Sequence, residues 1–155
     1  MISPEILRRY PFFGHLDEEE LSQIAMIAEE SSFEKGDTIF KEGQKADALY
    51  LLEEGSVDLY YHTQEEHDPR SIRKFLVGEI NPGEVFAISV FIEPHILTAT
   101  AVASQTGQLL KIKGPELRAM FDQDNNLAYH LMVQIMKVFS DRLYFTRVQL
   151  AAERG

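Results

Sequence analysis

The sequence predicts a mainly β domain with helices at both ends, and three patterns support this prediction. A capping box at Asp17–Glu20 precedes apolar residues at helical spacing. Across residues 32–113, short β-rich runs alternate with glycine or proline turns, as in a sandwich or barrel. After Asp122–Asn125, apolar residues return at helical spacing and continue toward Leu150.

Length and composition favour a single folded domain. The chain has 155 residues, of which 45% are hydrophobic and 26% are charged, which suits one core with a terminal appendage. We expect a β body with its N-terminal helix at residues 1–122 and a C-terminal helix at residues 123–155. The absence of cysteine excludes disulfides and thiolate metal sites. The net charge of -10 opposes contact with nucleic acid or an anionic membrane.

The N-terminal helix and the strands follow from residue spacing. In the predicted helix, the capping box is followed by Leu21, Ile24, Ala25, Ile27 and Ala28. Several short runs bounded by turn residues are candidate strands. These runs are Thr38–Phe40, Ala48–Glu53, Ser56–His62, Arg73–Ile80, Thr98–Ala103 and Gln108–Lys113.

A polar stretch at residues 62–71 interrupts the strand pattern, and we expect an exposed, mobile hairpin loop there. Further along the chain, Gly114-Pro115 begins a short helix that runs through Phe121. A longer helix follows it. The apolar residues that carry this longer helix are Leu127, Leu131, Ile135, Val138 and Phe139.

Glycines in the β-rich region carry a family resemblance. Gly36, Gly43 and Gly55 each lie beside a predicted strand, where a tight turn favours a positive φ angle. Further segments complete the pattern, namely Leu49–Leu52, Gly55–Val57, Asn81–Phe86 with the Gly83 turn, and Thr98–Ala103. Together they resemble the cyclic nucleotide-binding domain over roughly residues 10–145. The resemblance implies an eight-stranded jelly roll with an N-terminal helix, a short helix in the binding cassette and two C-terminal helices.

The same resemblance locates the residues that bind the nucleotide in the family. Members that bind cyclic nucleotides carry a Gly-Glu pair for the ribose and an arginine for the cyclic phosphate. Aligned from Pro82-Gly83, the pair falls on Ala87-Ile88 and the arginine on Leu97, with Thr98 and Ala99 retained after it. An alternative register takes Gly83-Glu84 as the ribose pair, and it still leaves Leu97 at the arginine position.

Charge in this segment argues against a phosphate ligand. There is no lysine or arginine between Phe75 and Leu110, and the formal charges there are those of Glu79, Glu84 and Glu93. A phosphate enclosed without a paired cation loses the bidentate bonds of an arginine. We therefore expect that the domain does not bind cAMP or cGMP tightly.

Two hypotheses describe the altered pocket. In the first, apolar side chains close over it, and the domain works through its surface; these are Phe86, Ile88, Val90, Phe91, Ile96 and Leu97. In the second, a cavity persists and accepts an apolar or weakly polar effector oriented by Ser89 and Thr98. The candidate pocket residues are Phe86, Ala87, Ile88, Ser89, Leu97, Thr98 and Ala99. A weak but genuine cyclic nucleotide-binding protein remains the alternative.

Nothing in the sequence indicates catalysis, a metal site or a cofactor. His62, His67 and the acidic residues between them fit no metal-ligand spacing, and His15, His95 and His130 are isolated in sequence. Ser89 lacks the flanking glycines of a nucleophile elbow. We therefore expect a non-enzymatic module.

The long C-terminal helix is expected to form a homodimer, as the corresponding helix does in proteins that the chain resembles. Its apolar stripe is carried by Met132, Ile135, Phe139 and Leu143. Transcription regulators of this type continue into a helix-turn-helix, whereas this chain ends at Gly155, so direct DNA binding is not expected. Another protein or an apolar small molecule is the expected partner. No membrane segment or export signal is recognisable, and a cytoplasmic location is expected.

Overall fold

The computed structural model describes residues 1–63 and 73–155. Helix α1 (Pro4–Arg8), a 3-10 helix (Pro11–Phe13) and α2 (Glu18–Met26) precede the sheet. The strands are β1 (Ala28–Phe33), β2 (Thr38–Phe40), β3 (Ala48–Thr63), β4 (Arg73–Ile80), β5 (Val85–Phe86) and β6 (Thr100–Lys113). A second 3-10 helix (Ile88–Phe91) separates β5 from β6, and α3 (Gly114–Gln123) and α4 (Asn125–Arg154) complete the fold.

The sheet is antiparallel and follows the order β1-β6-β3-β4, with β2 paired to β6 and β5 paired to β3. This architecture confirms the mainly β prediction with helices at both ends and a long C-terminal helix. The predicted separate strands Ala48–Glu53 and Ser56–His62 form the single strand β3, which bends at register shifts between Leu52 and Val57. Likewise, Thr98–Ala103 and Gln108–Lys113 merge into β6. Within the described ranges, counting each half of β3 and β6 separately gives the eight segments of a jelly roll.

The N-terminal helix begins where the capping box predicts. The Glu20 amide donates to Asp17 Oδ1 at 2.8 Å, and the Asp17 amide donates to Glu20 Oε1 at 3.0 Å. The predicted extent was wrong, because α2 ends at Met26 and Ala28 already belongs to β1. Strand β1 pairs along its whole length with residues 107–112 of β6, and this remote pairing ends the helical pattern.

The turn glycines and the C-terminal helices match their predictions. Gly36, Gly43, Gly55 and Gly83 have φ angles of 93°, 88°, 93° and 90°, in the left-handed region that favours glycine. The Asp124 side chain caps α4 by accepting from the Leu127 amide at 3.0 Å. On α4, the buried residues Leu127, Leu131 and Ile135 join the core of the β sheet.

Of the loop expected at residues 62–71, His62 and Thr63 belong to β3, and the rest lies outside the described residues. Among the helices that the structure describes, none is both long and apolar enough to cross a bilayer.

Candidate ligand pocket

A cavity of about 510 Å³ lies between the segment around the second 3-10 helix, the sheet and the later turns of α4. Its volume is in the range that suits a small organic ligand. The walls are mostly apolar with a few polar side chains. The lining residues are Phe40, Leu59, Tyr61, Val77, Ala87, Ile88, Ser89, Ile92, Glu93, Pro94, Ile96, Leu97, Thr98, Ala99, Phe139, Arg142 and Thr146.

The structure brings most of the predicted pocket residues to this cavity. Ala87, Ile88, Ser89, Leu97, Thr98 and Ala99 line its wall. Phe86 does not, and its assignment to the pocket was wrong. Because β5 pairs Phe86 with Tyr50, the Phe86 ring is fully buried, 5.3 Å from the ring of Tyr50 and 5.9 Å from that of Phe40.

Leu97 is held firmly at the position that resembles the phosphate-binding arginine. The Leu97 amide donates to the Gln44 carbonyl at 2.8 Å, and the Gly43 amide donates to the Leu97 carbonyl at 2.8 Å. Only 5% of Leu97 is exposed. The wall at this point is therefore aliphatic, and the paired backbone gives it little freedom to move.

The ribose-binding position is aliphatic as well. Ala87 has a φ angle of 66°, the left-handed conformation expected where the family carries glycine. The next residue, Ile88, is buried at the cavity wall. In the alternative register, Glu84 is the ribose carboxylate, but Glu84 lines a separate cleft of about 480 Å³, and its Oε1 accepts from the Asn81 amide at 2.6 Å. The geometry thus favours the register with Ala87-Ile88.

The presence of the cavity favours the second of the two pocket hypotheses. Val90 is fully buried in the core, and the Phe91 ring stacks on Phe121 at 5.2 Å. Ile96 stays 40% exposed rather than folding inward. These apolar side chains therefore do not fill the space beside Leu97.

Arg142 on α4 is a cavity residue that sequence reasoning missed. Its Nη2 donates to the Val85 carbonyl at 2.9 Å, and its half-buried side chain lines both the cavity and the neighbouring cleft. Burial lowers the pKa of Arg142 below its ordinary value, and nearby Glu84 partly offsets this shift. The guanidinium remains charged at neutral pH. The pocket thus contains a cation supplied from outside the segment Phe75–Leu110.

A sequence signal for Arg142 exists in the helical register of α4. Ile135, Val138 and Arg142 follow one another at the spacing of residues on one helix face. Ile135 is buried and Val138 is partly buried against the core. Because Arg142 is the next residue on this face of the helix, its guanidinium is expected near the sheet. Interpreting the apolar residues of α4 as one stripe leaves this buried face without a separate prediction.

Among the residues that the structure describes, the other polar candidates form no recognisable reaction centre. The imidazole Nδ1 of His62 lies 3.6 Å from Glu42 Oε1, whereas His67 and the acidic residues between the two histidines fall outside the described residues. His15 and His130 are far apart in sequence, but the fold brings them together, and the centroids of their rings lie 6.0 Å apart in a stacked arrangement. Within residues 1–63 and 73–155, no three His, Cys, Asp or Glu side chains are grouped as metal ligands.

An exposed apolar seam runs along α4 beside the cavity. We define the α4 seam as Tyr129, Met136, Phe139, Leu143 and Leu150, which recur at intervals of three, four or seven residues. Of the four residues expected to form the dimer, Phe139 and Leu143 are exposed and Met132 is half-buried. Ile135 was assigned wrongly, because it is buried against the core of its own chain.

Comparison with known proteins extends these observations. The profile of the family described as "Cyclic nucleotide-binding domain" matches residues 30–124. A solved structure described as a cyclic nucleotide-binding protein from Geobacter metallireducens GS-15 is 40% identical, with a TM-score of 0.78 over 92% of this chain and 99% of that one. The sensor domain of a transcriptional regulator from Pseudomonas aeruginosa has the same fold, at 22% identity and a TM-score of 0.72 over 90% of this chain and 89% of that one.

Curated relatives include longer proteins. A potassium channel protein of Rhodopseudomonas palustris is 24% identical over 83% of this chain, which spans 29% of the channel. A cGMP-dependent protein kinase of Caenorhabditis elegans is 26% identical over 65% of this chain, which spans 12% of the kinase. The match to the family profile, the 40% identical solved structure and the observed architecture agree. The chain therefore belongs to the cyclic nucleotide-binding domain family.

Proposed function

We propose that the chain is a non-catalytic regulatory or sensor module that does not bind cAMP or cGMP tightly. It acts instead through an apolar effector in the cavity, through protein contacts, or through both. The observation that carries this proposal is the buried side chain of Leu97 on the cavity wall. An aliphatic group there forms no hydrogen bond with a cyclic phosphate.

The expected loss of affinity is large. A hydrogen bond to a charged group contributes about 1.5–3 kcal/mol, so losing the two bonds of an arginine fork weakens binding by roughly a hundredfold or more. The side chain of Ile88 likewise has no oxygen to accept a hydrogen bond from a ribose hydroxyl. Losing both interactions leaves a cyclic nucleotide with little polar recognition at this wall.

Arg142 supports the alternative, a genuine but weak cyclic nucleotide-binding protein. It lines the same cavity as Leu97 and carries the positive charge that the wall around Leu97 lacks. One of its donors is already bound to the Val85 carbonyl, however, and Glu93 also lines the cavity. This arrangement favours weak attraction of an anion over tight enclosure of a cyclic phosphate.

Calorimetric titration with cAMP and cGMP tests the proposal. We expect dissociation constants of about 100 µM or weaker, because the two polar contacts above are missing. The 40% identical protein from Geobacter metallireducens provides a comparison under the same conditions. A dissociation constant near 1 µM or below for either nucleotide would contradict the proposal.

We also propose that the module forms a homodimer through the α4 seam. Met136, Phe139, Leu143 and Leu150 are between 43% and 69% exposed, although large apolar side chains are ordinarily buried. Their intervals match the a and d positions of a coiled coil. The charged Asp141, Arg142 and Arg147 lie between these positions rather than on them.

Leu143→Glu is expected to weaken the dimer about tenfold or more, because each seam would then present a carboxylate to its twin. The measurement is size-exclusion chromatography with light scattering across a range of protein concentrations. Tyr144→Glu is the matched control, since this neighbouring exposed residue is not a member of the seam and receives the same charge. A wild-type protein that stays monomeric throughout the range would refute the proposed dimer.

Direct DNA binding does not form part of the proposed function. The net charge of -10 repels the phosphate backbone of DNA. The proposed partners are therefore other proteins, in addition to the small-molecule effector.

A further inference from the structure

Arg142 gives the cavity a positively charged end. We propose that the cavity binds a small apolar molecule that carries one carboxylate, and that Arg142 binds this carboxylate. The proposal rests on the proposed function, in which the cavity accepts an effector other than a tightly held cyclic nucleotide. It adds the chemical class of that effector and the residue that recognises its charge.

The hydrogen bonding of Arg142 supports this role. A guanidinium has five N–H donors, and the bond found for Arg142 is the one to the neutral Val85 carbonyl. The ion pairs among the described residues involve other side chains, so Arg142 has no carboxylate within 4.0 Å there. A half-buried cation that makes no ion pair among the described residues gains much from an anionic ligand.

The rest of the cavity wall selects for an apolar body. Leu59, Ile88 and Leu97 present buried aliphatic side chains to the cavity, and Phe139 of α4 presents an aromatic ring. A ribose hydroxyl or the polar edge of a purine placed against these side chains would find few hydrogen-bond partners. Polar ligand atoms that are left unpaired on binding reduce the affinity of the ligand for the cavity. A ligand with a hydrocarbon body and one carboxylate instead has all its polar atoms at one end, and this end faces the cation.

The charge balance favours a carboxylate over a phosphate monoester. A carboxylate is planar and carries one charge, which a single guanidinium matches with two parallel hydrogen bonds. A phosphate monoester approaches two negative charges at neutral pH. Glu93 at the cavity wall and Glu84 beside Arg142 repel this additional charge.

The test compares matched ligands on the full chain. Phenylacetate and 4-methylpentanoate are titrated against their uncharged amides, phenylacetamide and 4-methylpentanamide, by calorimetry, with thermal shift as a second readout. We expect each carboxylate to bind at least about tenfold more tightly than its amide. Arg142→Gln is expected to remove this preference. Arg147→Gln is expected to retain it, because Arg147 is exposed on the same helix and does not line the cavity.

The possible outcomes separate this inference from the proposed function. Amides that bind as well as carboxylates, with Arg142→Gln unchanged, overturn the inference and leave the proposed function standing. No binding by either carboxylate also overturns the inference. Tight binding of cAMP or cGMP overturns the proposed function itself. If circular dichroism shows that Arg142→Gln is unfolded, the comparison of carboxylate with amide on the wild-type protein decides the question.

Discussion

Gly107→Ala is expected to lower the free energy of unfolding by about 3 kcal/mol or more, because the added methyl group has no space. A Cβ atom at Gly107 lies 2.8 Å from the Cα of Gly55 and closer still to the carbonyl of Glu54. Both neighbours are backbone atoms at the bend of β3, where no side chain is free to rotate away. The strands themselves must separate, which breaks the pairing of β3 with β6.

Urea denaturation followed by circular dichroism measures this loss. Gly36→Ala is the matched control, since Gly36 has a φ of 93° and nothing lies within 4 Å of an added Cβ. That substitution is expected to cost about 1–2 kcal/mol from the left-handed conformation alone. Equal losses for the two variants would show that steric contact at Gly107 is not the dominant cost.

The double variant Ile88→Glu and Leu97→Arg is expected to bind cAMP or cGMP at least about a hundredfold more tightly than the wild-type protein. The arginine supplies two hydrogen bonds to the cyclic phosphate and the glutamate accepts from the ribose, and each charged bond contributes about 1.5–3 kcal/mol. The backbone at Leu97 is fixed by its bonds to Gly43 and Gln44, so the new side chain starts from a defined position.

Calorimetry measures this gain, and thermal melting reports any accompanying loss of stability. Ile88→Glu with Leu97→Gln is the matched control, because glutamine is polar and lacks the positive charge. If the arginine variant binds no better than this control, Leu97 is not the residue that limits nucleotide affinity. A wild-type protein that already binds as tightly as the double variant would contradict the proposed loss of function in the same measurement.

Local features of the fold could be predicted from the sequence because neighbouring residues decide them. The capping box at Asp17–Glu20, the Asp124 cap and the four positive-φ glycines each depend on residues within a few positions of one another. The aliphatic cavity wall at Leu97 was also predictable, since the resemblance placed it by counting along the chain.

Features that depend on remote partners were missed or only partly predicted. Strand β1 has buried residues only at its two ends, Ala28 and Phe33, so its sequence shows no alternation. It becomes a strand because β6 supplies its hydrogen bonds. Similarly, His15 and His130 stack on each other although all the described strands lie between them in sequence.

The sequence of the chain established that no lysine or arginine lies between Phe75 and Leu110, and this holds whatever the fold. Whether the cavity contains a cation was decided only by the packing of α4, which brings Arg142 to the Val85 carbonyl and to the cavity that Leu97 lines. The physical reason is that backbone conformation responds to adjacent residues, whereas a binding site combines side chains that only the burial of a shared core brings together.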